Sequence, residues 1–95
     1  MIDPVDQFRS RLLSMKPGES YVYYRGRLAQ DREKTPSLHI VAILAHGLQM
    51  LKAVQLSQVR QFAGVYEYRV RTNRPIRNVD FDHGRKTYLE NLKEE

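Results

Sequence analysis

Between Arg60 and Arg77 the chain carries five arginines, Arg60, Arg69, Arg71, Arg74 and Arg77, against one acid, Glu67. A guanidinium stays charged at physiological pH, and its planar fork matches a phosphate with two parallel hydrogen bonds. Arginines spaced along a ribbon can therefore hold a polyanion by displacing its counterions. The plainer explanation is the solvated outer face of an amphipathic hairpin. The whole chain tips the balance, because 16 Lys and Arg stand against 11 Asp and Glu, a formal net charge of +5. Such a balance favours a polyanionic partner such as nucleic acid.

Other chemistry is poorly served. His39 and His46 lie seven residues apart, whereas helical zinc pairs sit at i and i+4 beside a carboxylate. Surface or partly buried histidines explain them better. "DFDHG" (80–84) groups Asp80, Asp82 and His83, but an Asp-capped loop before a short helix accounts for it equally well. No serine has a base partner, cysteine is absent, and no glycine-rich phosphate loop occurs. The expectation is therefore no enzyme, no catalytic residue, no metal site and no cofactor.

The elements that must position these residues follow from pattern. At 95 residues the chain has the length of one domain with a thin core. Asp3 is a good N-cap, Pro4 suits the first helical position, and Val5, Phe8, Leu12 and Met15 recur at helical spacing, so 3–15 reads as a helix. "KPGE" (16–19) stops it. "SYVYYRGR" (20–27) reads as a strand and "LAQDREK" (28–34) as a short helix. Thr35 or Ser37 is the expected cap of a long helix over 37–52, with Leu38, Val41, Leu44, Leu48 and Leu51 on one stripe. Residues 54–60 and 65–71 read as two strands joined through "QFAG" (61–64). In the second strand Tyr66, Tyr68 and Val70 face one way, and Glu67, Arg69 and Arg71 the other. The strand tyrosines are expected to pack across a small sheet. A polar loop then spans 72–84, with Pro75 arguing against a central strand, and 85–93 forms a last short helix.

The order helix, strand, short helix, long helix and two strands resembles a winged helix-turn-helix domain. This resemblance covers about residues 5–71 and is one of topology and pattern. "YYRGRLAQDR" (23–32) and "VQLSQVRQFAGVYEYRV" (54–70) are also similar to small uncharacterised proteins of phages and prophages. The implied fold class is α+β, a winged-helix domain over 1–72, with 73–95 packing on it or extending it. The implied function is double-stranded DNA binding by a phage- or prophage-type transcriptional regulator. Helix 37–52 would be the recognition helix, contacting DNA through Ser37, His39, His46, Gln49 and Lys52. The wing would contact phosphate through Arg60, Arg69, Arg71 and Arg74.

One departure weakens base reading. Recognition helices usually carry Arg, Asn or Gln near their N-terminus, and this one offers Ser37 and His39 there. Its apolar bulk favours the alternative, a winged-helix interaction module that binds and modulates a host protein without DNA. A homodimer through the tail helix or a strand edge is expected. The start lacks a signal-peptide pattern, and the longest apolar run, 38–51, is too short and too polar to span a bilayer. With no cysteine, a reducing cytoplasm is the expected compartment.

Overall fold

The computed structural model describes residues 3–62 and 64–93, with side chains described through Asn91. Ala63 of the expected "QFAG" turn, the Leu92 side chain and Glu94 and Glu95 of the acidic end lie outside the described residues. The fold is α+β, with four helices and a three-stranded antiparallel sheet. The elements are α1 (Pro4–Ser14), β1 (Ser20–Gly26), α2 (Leu28–Lys34), α3 (Pro36–Met50), β2 (Val54–Phe62), β3 (Val65–Thr72) and α4 (Asn78–Lys93). The sheet order is β1-β3-β2.

α1 begins as its sequence dictates. The Asp3 carboxylate accepts the Val5 N–H at 2.7 Å, satisfying one orphan donor of the first turn, and Pro4 occupies that turn. Phe8, Leu12 and Met15 are buried against Val41, Leu44, Ala45 and Leu48 of α3 and against Val54 and Val70 of the sheet. After Pro17 the chain turns through Gly18 (φ 90°), whose N–H donates to the Thr72 carbonyl at 2.7 Å and ties the turn to the end of β3. A second, smaller cluster, Leu28, Leu38 and Ala42, fixes α2 to α3.

Several boundaries differ from the sequence expectation. α3 ends at Met50, and Lys52 lies beyond it in a left-handed turn, φ 61°. Thr35, not Ser37, is the N-cap of α3, and its side chain makes no capping bond. β2 runs on to Phe62, which pairs with Val65, so the hairpin is longer than expected. The largest change is at the C-terminus: the expected loop 72–84 shrinks, and α4 starts at Asn78 rather than 85.

Packing explains α4. Phe81 and Ile76 belong to the same core as α1 and α3, so residues beyond 72 complete the domain's interior. Midway along α4, Gly84 meets Gly47 of α3 backbone to backbone: a Cβ on Gly47 would strike the Gly84 peptide, and one on Gly84 would lie 2.9 Å from the Gly47 carbonyl carbon. A mid-helix glycine costs about 1 kcal/mol of helix propensity, yet here it permits the crossing. Among the described residues no helix is long and apolar enough to cross a membrane.

Two forces oppose each other in Gly47→Ala. Helix propensity alone would stabilise the chain by about 1 kcal/mol. Overpacking at the crossing should instead destabilise it by about 1–3 kcal/mol. Urea denaturation of the full chain should therefore show a lower midpoint for the variant; a higher midpoint would mean that the crossing is loose.

Candidate nucleic-acid interface

Side chains alternate across a strand, so cross-strand register decides which arginines share a surface. Arg69 pairs with Ser57 and Val22, Arg71 with Gln55 and Ser20, and Glu67 with Val59 and Arg25. These residues form the outer face of the sheet. Tyr66, Tyr68 and Val70 lie on the opposite face, toward the helices, with Leu56, Gln58 and Arg60 as their β2 partners. Arg60 is therefore on the other side of the hairpin from Arg69 and Arg71.

Arg25 takes a place on the outer face that simple alternation denied it. Counting by twos from Tyr21 and Tyr23 puts Arg25 with the inward tyrosines. A register shift between Val22 and Tyr24 reverses this, and Arg25 stands opposite Glu67. Glu67 accepts from Arg25 Nε at 3.1 Å and from Arg69 Nη2 at 2.7 Å, and both guanidiniums are well exposed. The Arg69 bond, and then the Arg25 bond, hold the Glu67 carboxyl below the usual carboxylate range. Exposed pairs of this kind add little to stability. Their effect here is to neutralise the face's acid while leaving three arginines, Arg25, Arg69 and Arg71, displayed to solvent.

Arg74 is engaged within the fold. Its guanidinium forks onto Asp80, Nη1 to Oδ2 at 2.9 Å and Nη2 to Oδ1 at 3.1 Å. Asp80 is buried and also accepts the Arg77 N–H at 2.8 Å, so the pair holds the start of α4. The Arg74 bond keeps the Asp80 carboxyl below its ordinary range, and the same bond raises the Arg74 guanidinium. Arg74 thus serves structure, and its fork is already occupied. The group "DFDHG" is helical, with Asp80 committed in this way and Asp82 and His83 exposed. Among the described residues no cluster of three His, Asp or Glu could hold a metal ion.

The five helix residues do not form one reading surface. Ser37 lines a cavity of about 280 Å³ with Pro4, Gln7, Tyr21 and Tyr24. His39 is exposed, and its Nδ1 accepts from Arg32 Nε at 3.1 Å. His46 stacks on Tyr88 of α4, ring centroids 6.3 Å apart, and burial lowers its pKa. The Gln49 side-chain carbonyl accepts the Leu56 N–H at 3.1 Å and so closes part of the free edge of β2. Lys52 is outside the helix, and its carbonyl accepts from Asn73 Nδ2. The exposed residues of α3 are Pro36, His39, Ile40, His46, Gln49 and Met50, with no Lys or Arg among them.

The strand tyrosines are occupied in packing. Tyr23 and Tyr24 both turn toward the helices because of the bulge, and each approaches the Tyr68 ring within 6.3 Å. The Tyr24 hydroxyl donates to Asp31, and the Tyr68 hydroxyl accepts the Leu28 N–H at 3.1 Å, so the pair anchors α2. Burial, joined for Tyr24 by the Asp31 bond, pushes both Tyr23 and Tyr24 to about 12, so both stay neutral at physiological pH. Arg27 was not singled out by sequence. Its Nε donates to the Gly64 carbonyl at 2.8 Å and ties the hairpin turn to the start of α2.

No family model, curated protein or solved structure matches the chain.

The Arg74–Asp80 pair sets a pH dependence. Because the folded carboxyl titrates below its unfolded value of about 3.9, its contribution is complete above that pH and is lost as pH falls through the folded pKa. Asp80→Asn should lower the melting temperature at pH 7 and show a shallower loss of stability below about pH 4. An acid limb as steep as that of the unaltered protein would place the responsible carboxylate elsewhere.

Proposed function

We propose that the chain is a winged helix-turn-helix protein that binds double-stranded DNA chiefly through its phosphates, in the manner of a small phage- or prophage-type regulator. The observation that carries this reading is the sheet order β1-β3-β2 within the succession helix, strand, helix, helix, hairpin. In this reading β2 and β3 are the wing. The net charge of +5 supplies the long-range attraction.

Relative to the sequence expectation, Arg25 joins the phosphate contacts and Arg74 leaves them. Arg25, Arg69 and Arg71 are the phosphate contacts of the outer wing face, and Arg60 approaches from its helix side. On α3 only His39, beside Arg32, is placed to reach a base edge. His46 and Gln49 are held by Tyr88 and β2, so the protein discriminates weakly among sequences. Phosphate contacts of this type position a protein without reading sequence.

A second reading has its own support. Ile40 and Met50 on α3 and Val79 and Leu89 on α4 are each 40–45% exposed. Apolar side chains presented on two adjacent helices suit a protein partner, and this favours an interaction module bound to a host protein or to a second copy of the chain.

Fluorescence anisotropy of a labelled duplex, repeated from low to physiological salt, separates the two. The DNA reading predicts binding that weakens as salt rises, with similar affinity for unrelated duplexes. Arg69→Ala with Arg71→Ala should weaken binding to every duplex and reduce the salt slope by about 1 for each arginine removed from a phosphate. An unchanged slope would remove the outer wing face from the interface, and no binding at low salt would leave the protein-partner reading.

A further inference from the structure

We propose that Phe62 is an apolar wedge, which the hairpin inserts between base steps of the minor groove so that the duplex bends. This rests on the DNA-binding reading above and adds to it a specific mode of contact and a preferred substrate.

Phe62 is 68% exposed, well above the other exposed large hydrophobics. It stands at the last pair of the hairpin, opposite Val65, just past a register irregularity that follows Arg60. Its side chain adds nothing to either hydrophobic cluster. A large aromatic left in water at the end of a ribbon suits a contact made outside the fold.

The ribbon that carries it is braced. Arg27 Nε holds the Gly64 carbonyl at 2.8 Å, and the Arg27 guanidinium occupies the space that a Cβ on Gly64 would need. Gly64 adopts φ 75°, a conformation that glycine takes without strain. The end of the hairpin is thereby pinned to the β1–α2 junction, and Phe62 is presented on a fixed support.

The charges around it specify the ligand. Arg27 holds the hairpin turn, Arg25 and Arg60 belong to cross-strand pairs near it, with Glu67 and Tyr66, and the acid Glu67 is already held by Arg25 and Arg69. An aromatic tip inside a cationic surround complements a surface that is anionic at its rims and apolar within. Duplex DNA is such a surface, with bases stacked between two phosphate rails. Its minor groove is only about 6 Å wide, while two strands alone stand about 4.8 Å apart before side chains are added. The groove must therefore open to admit the tip, and side chains that unstack a base step kink DNA by about 20–90° toward the major groove. Pyrimidine–purine steps such as TA unstack most readily, so they are the preferred sites.

The test uses the full chain and a duplex with a central TA step, labelled at both ends for energy transfer, with anisotropy read on the same samples. The unaltered protein should bind and raise transfer efficiency. Phe62→Ala should bind with the same salt slope but lose the rise, and Phe62→Leu, a wedge of similar reach, should restore most of it. Equal transfer changes for the unaltered protein and Phe62→Ala would overturn the wedge, as would binding without any change in transfer; both leave the DNA reading standing. Absence of binding at low salt would overturn both.

Discussion

The close approach of Gly47 and Gly84 is the constraint on which the rest of the structure depends. Because neither residue has a side chain at the crossing, α4 can lie directly on α3. From that position Phe81 and Ile76 reach the core shared by α1, α3 and the sheet. The Arg74–Asp80 pair then secures the beginning of α4 where it leaves β3. α3 is consequently covered on several sides: α1 and the sheet take its apolar stripe, α2 meets Ala42, and α4 takes the Gly47 side. What remains exposed is a narrow strip without a cation. The sparse exposed surface of α3 thus has a structural cause, the demand that one helix serve as the centre of a small domain.

The same arrangement leaves one face of the hairpin uncovered. All the described hydrophobic clusters lie on the helix side of the sheet, leaving its outer face open. Two local irregularities decide what that face carries. The bulge at Val22–Tyr24 turns two successive tyrosines inward and moves Arg25 outward. The pairing of Phe62 with Val65 carries the ribbon to its end with an aromatic side chain exposed. The resulting face has three arginines and one neutralised acid, a pattern suited to phosphates more than to individual bases.

Most elements were legible in the sequence because their signals are local. Asp3–Pro4 marks a helix start, "KPGE" marks its stop, and the alternation in "VYEYRVR" marks a strand; each depends on near neighbours in the chain. The differences arose where a distant partner decides. Gly84 and the polar run before it look like a loop until Gly47 is set against them. Arg74 looks like a free cation until Asp80 is brought within 2.9 Å. Lys52 continues a helical register that the turn into β2 interrupts. Arg60 and Arg69 look alike along the chain, and only pairing with Tyr66 and Ser57 shows that they face opposite ways. His46 and Gln49 have helical positions suited to contact, but Tyr88 and the β2 edge occupy them.

The central claim is that DNA meets this protein through the hairpin rather than through the length of α3. Titration of a short unlabelled duplex into isotope-labelled protein, followed by amide NMR shifts, tests it most directly. The account predicts that the largest shifts fall on Arg25, residues 57–62 and residues 65–71, with a smaller group at Arg32 and His39, and little change along the α4-facing side of α3. Shifts concentrated on Ile40, Met50, Val79 and Leu89, or none at any duplex concentration, would contradict it.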